Sequence, residues 1–437
     1  MAEAAHAQPL PAPVDVAGRV LTIDEAVTIA LATQPQIQAR LSDYAAARYR
    51  VSQALSPLLP QVAGGISATK SQQTSTETTR TLFFNNFRVP RPGSTETITA
   101  VTTMGWGDSF IAQVSLSQLL FDFGKNLAAT EAARRLADVA LEDIELQRQL
   151  IVLSVREAYT NILLAERLTK VNQQAVQRAQ LNLRAATRAF EVGLRPESDV
   201  ARAEVDAANA EVDVIRSSNA VRLALAALNT AMGLNVATPT RVQDNLDHQP
   251  SIFDRPLLFS EATRQRPEQR QARLRVEAAD ALERQAFRNF FPDIFGGGSY
   301  GGTQFPGFNE TWTVGLSMSW SIFDGGNKIA RYQEAKANLE SARARVAASE
   351  LDISRDVEQA IVTAEEAQAR IRAIGVSVKA AERNYRFAEG RFRAGLATII
   401  ELTDAQFSLT QAQSFETQAL ADYRIAVYRL DRAVGRR

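Results

Sequence analysis

The side chains that usually perform covalent chemistry are nearly absent from this sequence. It has no cysteine, which removes thiolate nucleophiles, disulfides, thiolate metal sites and a lipidated N-terminal cysteine. The two histidines are His6, in an alanine-rich N-terminal tail, and His248, in a Pro/Asp-rich linker, so neither a histidine base nor a histidine metal cluster is expected. What remains is paired charge: Glu401 and Asp404 stand at i, i+3 on a helical pattern and share one face, and Asp199 holds the place of Glu401 earlier in the chain. Like carboxylates on one face repel each other and attract cations, whereas a single carboxylate near a helix N-terminus is a favourable dipole contact. That is chemistry of charge, not of bond making, so no enzyme and no cofactor are expected.

Two other signals are declined. Gly296-Gly297-Gly298-Ser299-Tyr300-Gly301 has the form G-x-G-x-x-G, but Thr303 to Asn309 reads as a loop leading to another strand where a nucleotide fold requires a helix. Glycines in a hairpin suit close strand packing. The four methionines are scattered, which argues against a methionine-based metal relay, and no metal is expected.

The 437 residues carry 49 basic and 49 acidic side chains, so net charge gives no reason to expect nucleic acid as a partner. No run of about 18 apolar residues occurs, which excludes a transmembrane helix, but a β-barrel hides its strands in alternation and passes that test. Ala5-His6-Ala7 has the small-x-small form of a secretory cleavage site without the basic and apolar segments that normally precede one. On the processing reading Met1 is an expression start and the chain is exported.

The elements that position the charges come in two copies. Leu120-Phe121-Asp122 recurs as Ile322-Phe323-Asp324, Phe190-Glu191-Val192-Gly193-Leu194 as Phe392-Arg393-Ala394-Gly395-Leu396, and Arg222, Leu228 and Gly233 as Arg424, Leu430 and Gly435, all 202 positions apart. Upstream, Pro35 matches Pro267 and Pro60 matches Pro292 at an offset of 232, so the first copy holds about thirty extra residues. These are placed at Ser71 to Ala100, rich in Thr, Ser and Gln around Phe83, Phe84 and Phe87, and read as a long exposed loop. The domain reading is a tail 1–21, a first repeat 22–233 with a β-hairpin at about 61–121, a linker 234–259 around the middle, and a second repeat 260–437 with a hairpin at about 293–323. Each repeat opens with a helix, Ile23 to Ala54 or Ser260 to Asn289, ended by prolines. A hairpin, a very long helix, a Gly-Leu turn and a second long helix follow. Lys125 to Phe190 contains no proline or glycine, and 66 helical residues span about 100 Å.

The strand pattern sets the environment. Trp312, Val314, Leu316, Met318, Trp320 and Ile322 alternate with Thr and Ser over 11 residues, the length of a tilted strand crossing an outer membrane, with tryptophans as interfacial anchors. Ala112, Val114, Leu116 and Leu120 repeat the pattern more weakly. Two hairpins give four strands, which cannot close in lipid, so several copies must share a barrel. Twelve strands leave a lumen where eight would be filled by side chains, which favours a trimer. A structural coiled-coil scaffold, at the surface or in the periplasm, would explain the long helices but not the alternation, and it requires heptads of Leu or Ile where this chain has many Ala, Gln and Thr.

Leu55-Ser56-Pro57-Leu58-Leu59-Pro60-Gln61, Leu120-Phe121-Asp122 and the paired turns at Val192-Gly193-Leu194 and Ala394-Gly395-Leu396 resemble the TolC family of outer-membrane efflux and secretion ducts over roughly Leu21 to Gly435. The resemblance implies a mainly α fold, with long helical hairpins forming a periplasmic tunnel and four strands per chain contributing to one twelve-stranded barrel of a homotrimer in outer-membrane lipid. It implies a Gram-negative outer-membrane location and multidrug efflux or type I secretion, with a periplasmic adaptor (membrane fusion protein) and an inner-membrane transporter of RND, ABC or MFS type as partners. Residue by residue, it implies that Gly193, Leu194, Gly395 and Leu396 form the adaptor-docking tip and that Asp199, Glu401 and Asp404 ring the periplasmic gate. Trp312, Val314, Leu316, Met318 and Trp320 would then face the membrane. The chain departs from the family in lacking the Arg and Tyr that tie some tips shut, having Ala397 and Phe392 there, so its closing ties are expected to differ. Gly435 stands two residues from the end of the sequence, so only a short tail or none is expected beyond the last helix.

Overall fold

The computed structural model describes residues 18–82, 96–247, 250–304 and 308–436, with backbone alone at 71–82, 96–109, 304 and 308. In chain order the elements are β1 (Val20–Leu21), α1 (Ile23–Thr33), α2 (Pro35–Leu55), β2 (Gln61–Leu82), β3 (Glu96–Phe121), α3 (Lys125–Glu191), α4 (Glu197–Ala231), β4 (Arg241–Val242), α5 (Arg255–Gln265), α6 (Pro267–Arg288), β5 (Asp293–Gln304), β6 (Phe308–Ser319), α7 (Asn327–Arg393) and α8 (Ile399–Val434). Mostly helix with four long strands, this is the expected class. α3 and α7 each run 67 residues.

Three expectations are corrected. The opening helix of each repeat is two helices, because Gln34 and Arg266 precede prolines and are held extended (ψ 118° and 126°). The Thr/Ser-rich segment is largely strand rather than loop: β2 and β3 stay paired as far as Leu82↔Glu96. β-branched threonine favours an extended chain, and the β2 half of the ribbon, polar at every position from Ser71 to Thr81, carries no alternation to betray it. Phe83, Phe84 and Phe87 lie outside the described residues. Finally, β6 ends at Ser319, short of Trp320 and Ile322. β3 continues to Phe121 because β5 pairs with it there, whereas β6 has a partner on one side only and its ladder ends at Asp293↔Ser319.

The chain packs as two compact units that cut across the repeats. One gathers residues up to Arg48, Arg134–Ala278 and Leu339–Arg437; the other gathers Tyr49–Ala133 and Ala279–Asn338. The first is built of helices around a core of Leu21, Tyr159, Ile162, Leu163, Leu228, Met232 and Leu246, on which the short parallel pair β1–β4 rests. The Tyr159 hydroxyl is within 2.9 Å of the Leu21 and Gln243 carbonyls and accepts the Gln243 amide at 3.0 Å. Burial pushes its phenol up to about 12. Tyr159→Phe leaves that amide without its acceptor and is expected to cost about 1–3 kcal/mol, read as a lower unfolding temperature in detergent.

The second unit holds an antiparallel sheet in the order β2-β3-β5-β6. Trp312, Val314, Leu316 and Met318 are 64–81% exposed on one face, and Thr311, Thr313, Ser317 and Ser319 lie on the other. Such a greasy face in water would be a liability. Along β5, glycine is required by crowding: a Cβ on Gly297 or Gly298 would stand 2.7–2.8 Å from a neighbouring strand's carbonyl oxygen. These glycines let the strands approach and curve.

Candidate functional site

The helices α3 and α7 end in the same way. Glu191 and Arg393 are followed by left-handed glycines, Gly193 (φ 70°) and Gly395 (φ 73°), a conformation that costs glycine nothing. The Leu194 amide then donates to the Ala189 carbonyl and the Leu396 amide to the Arg391 carbonyl, both at 2.8 Å, which is the Schellman closure. Closure of that kind should bury the following apolar residue, yet Leu194 and Leu396 are 78% and 72% exposed. Two bare leucines thus crown the two turns.

One side chain joins the turns. Arg195 donates to the Asp199 carboxylate at 3.1 Å and to the Ala397 carbonyl at 3.0 Å, while its guanidinium lies 4.2 Å from the centre of the Phe392 ring. It stands two residues after the first glycine, where the second turn has Ala397, and Phe392 takes its charge on a ring face. Sequence reading missed this residue. The signal was available, because Ala397 minus the 202-residue offset is Arg195.

The carboxylates do not form one uniform acidic set. Glu401 accepts Arg391 at 2.6 Å and its own amide is capped by Thr398, while Asp199 is paired with Arg195. Asp404 makes no ion pair among the described residues. Its neighbour in charge is Asp206 on α4, whose carboxyl is held above the usual aspartate range, first by burial and then, against the pull of Arg202, by Asp404. Asp206 was not foreseen, since its partner lies on another helix. Asp206, Asn182 and Gln406 line a cleft of about 240 Å³ between α3, α4 and α8. The Asn182 amide donates to the Gln406 side chain, which in turn donates to the Ala175 carbonyl, and one Asp206 oxygen is buried without a partner. What the arrangement offers chemically is negative charge, with Asp404 and Asp206 close enough for each to feel the other.

The sequence matches the model of the family described as outer membrane efflux protein over residues 26–234 and 258–436. It is similar to outer membrane protein TolC of Escherichia coli (strain K12), with 24% identity over 423 residues covering 92% of this chain and 80% of that protein. It is also similar to the alkaline protease secretion protein AprF of Pseudomonas aeruginosa, with 24% identity, covering 92% and 82%. Among solved structures, the outer membrane protein VceC of Vibrio cholerae shares the fold at a TM-score of 0.75 and 20% identity, covering 94% of this chain and 96% of that one. The Campylobacter jejuni CmeC outer membrane channel shares it at 0.76 and 17%, covering 94% and 85%. With an exposed apolar sheet face, paired helical hairpins and a family match over most of its length, the chain belongs to the outer membrane efflux protein family and serves as an outer-membrane duct.

Proposed function

We propose that three copies close one twelve-stranded barrel, that the Leu194 and Leu396 turns dock a periplasmic adaptor, and that Asp404 with Asp206 screens ions at the closed end of a periplasmic tunnel. The adaptor would couple the duct to an inner-membrane transporter of RND, ABC or MFS type for drug efflux or type I secretion. The observation that carries this reading is the sheet: one face apolar and exposed, and two outer edges, β2 and β6, without partners among the described residues, in a family placed in the outer membrane. In lipid each unpaired backbone group costs several kcal/mol, so the edges must be closed by other copies. Four strands from each of three copies give the smallest closed set with an open lumen.

The gate has a direct test. Glu401→Gln/Asp404→Asn is expected to lower cation selectivity and to raise or reshape conductance in planar bilayers. Asp404→Asn alone should carry most of the effect, because Arg391 already neutralises Glu401. Parent-like selectivity and conductance in the double variant would remove Asp404 from the gate and leave the fold untouched. For the barrel, a detergent-dependent protein mass near three times 47.8 kDa is the expected result.

A further inference from the structure

The chain shows in itself what fits the open edges of its sheet. At the β3–β5 joint the second strand of the first hairpin meets the first strand of the second hairpin, and the two repeats correspond down to single hydrogen bonds. The Gln118 amide donates to the Leu58 carbonyl at 2.8 Å; shifted by the two offsets, the Trp320 indole donates to the Phe290 carbonyl at 3.1 Å. Asp122 caps the Asn126 amide, and Asp324 caps that of Lys328. Gly124 and Gly326 share a left-handed backbone, with φ of 79° and 88°. At the far end of each repeat, a Cβ on Gly233 would stand 3.2 Å from the Gln34 amide nitrogen, and one on Gly435 would stand 3.1 Å from that of Arg266.

The same offsets carry the β3–β5 joint forward from β6 onto the β2 of another chain. Leu116↔Gly298 becomes Met318↔Ile66, and Val114↔Tyr300 becomes Leu316↔Ala68. The parity is consistent, because Ile66 lies in register with Ala112 and so on the apolar face to which Met318 belongs. Met318 and Ile66 are both exposed in the single chain.

The joint inside the chain is ionic. Lys125 meets Asp293 at 2.7 Å, Arg284 meets Glu131 at 3.2 Å, Arg135 meets Glu277 at 3.0 Å, and Arg270 meets Glu142 at 2.9 Å. Shifted by 202 and 232, these four pairs become Asn327 with Gln61, Gln333 with Ser52, Ala337 with Ala45, and Ala344 with Gln38. No charge survives at any of the four. The amide pair is complementary in its own right: the Gln61 side-chain nitrogen donates to the Ser56 and Leu59 carbonyls, which leaves its oxygen to accept from Asn327.

We infer that a second copy of this chain docks along β6 and the start of α7 through its β2 and α2, with Met318 opposite Ile66, and that this seam between copies is uncharged at the four levels where the seam within the chain is ionic. The inference rests on the duct reading above and adds the register and chemistry of the contact. None of the four inner ion pairs is then repeated between copies, so salt should weaken the assembly less than it would weaken a seam built like the inner one.

The absence of native cysteine makes the test free of background. Full-length protein carrying Met318→Cys/Ile66→Cys, oxidised in outer membranes, is expected to give dimer and trimer bands on non-reducing gels. Met318→Cys paired with Val62→Cys or Lys70→Cys, four residues to either side, should give few. Stronger cross-linking by either comparator overturns the register. If none of the three cross-links in a protein that sizes as a trimer in detergent, the seam lies elsewhere and the duct reading stands; a monomer in detergent removes both. Independently, Gln61→Asp/Asn327→Lys rebuilds the ion pair of the inner joint across the seam. It is expected to raise the trimer's dissociation temperature above those of both single variants, with the gain lost at about 1 M salt. A double variant no more resistant than the singles overturns the pairing of Asn327 with Gln61.

Discussion

Gly301→Val is expected to yield a protein that forms its helices but fails to enter the outer membrane as a closed barrel. A Cβ at that position would overlap the Ala112 carbonyl oxygen and lie 2.9 Å from the Gln113 Cα, both of them backbone that no rotamer change can move. Valine adds two further methyls, and overpacking of this kind costs about 1–3 kcal/mol or more at each copy's β3–β5 joint. Where several copies must close one barrel the penalty is counted once per copy, so detergent-stable protein in the membrane should fall roughly tenfold or further. Gly315→Ala is the comparison variant: within one chain a Cβ there meets nothing within 4 Å, so any loss it causes reports on the copy that docks along β6. Heat resistance on gels and surface protease accessibility distinguish the two variants, and a Gly301→Val protein that inserts like the parent would show that β5 can move away from β3.

The second large effect is expected at the tip. Arg195→Gln removes an ion pair, a charge-assisted bond to a carbonyl and a cation–ring contact at one stroke, and all three tie the first turn to itself or to the second. With charge-assisted hydrogen bonds worth about 1.5–3 kcal/mol, the balance between joined and separated turns should shift by about tenfold to a hundredfold. In planar bilayers the variant should spend more time at high conductance. Arg195→Lys, which keeps the charge but loses the planar fork, should fall between the variant and the parent. Asp199→Asn, which leaves the ring and carbonyl contacts in place, should do less than Arg195→Gln. If Arg195→Gln conducts like the parent, the tie between the turns does not limit flow.

These two residues also mark where sequence was legible and where it was not. Periodicity and the 202-residue offset exposed the helices, both hairpins and the turns at Gly193 and Gly395, because each is a local pattern that physics repeats: a left-handed residue after a helix, or alternation along a half-exposed strand. The broken opening helices were within reach, since Pro35 and Pro267 force extension on Gln34 and Arg266. The β2 half of the long ribbon was not, because a strand polar on both faces, as Ser71 to Thr81 would make, looks like a loop. At the tip, reading residues by position showed the missing arginine but not its replacement. Arg195 reaches Ala397 only because α3–α4 and α7–α8 bring their turns side by side, a tertiary fact with no counterpart in local sequence. The same holds for Asp206, whose carboxyl rises because another helix presents Asp404. The ion pairs that neutralise Glu401 and Asp199 likewise depend on which rotamers the turns allow.

The unequal hairpins carry one more consequence. β5 and β6 have 12 residues each, enough for a tilted crossing of the outer membrane, while β2 and β3 have 22 and 26 and keep pairing beyond Phe110↔Gln304, the last rung that β3 shares with β5. At about 3.3 Å per residue the longer strands reach roughly 70 Å or more, over twice the hydrocarbon thickness, so much of each stands outside the bilayer as a bare two-stranded ribbon. In the trimer proposed above, each copy would contribute one such threonine-rich finger beyond the bilayer. Past Phe110↔Gln304 the described residues of each finger pair only within their own hairpin, so change there can accumulate without disturbing the wall of the pore.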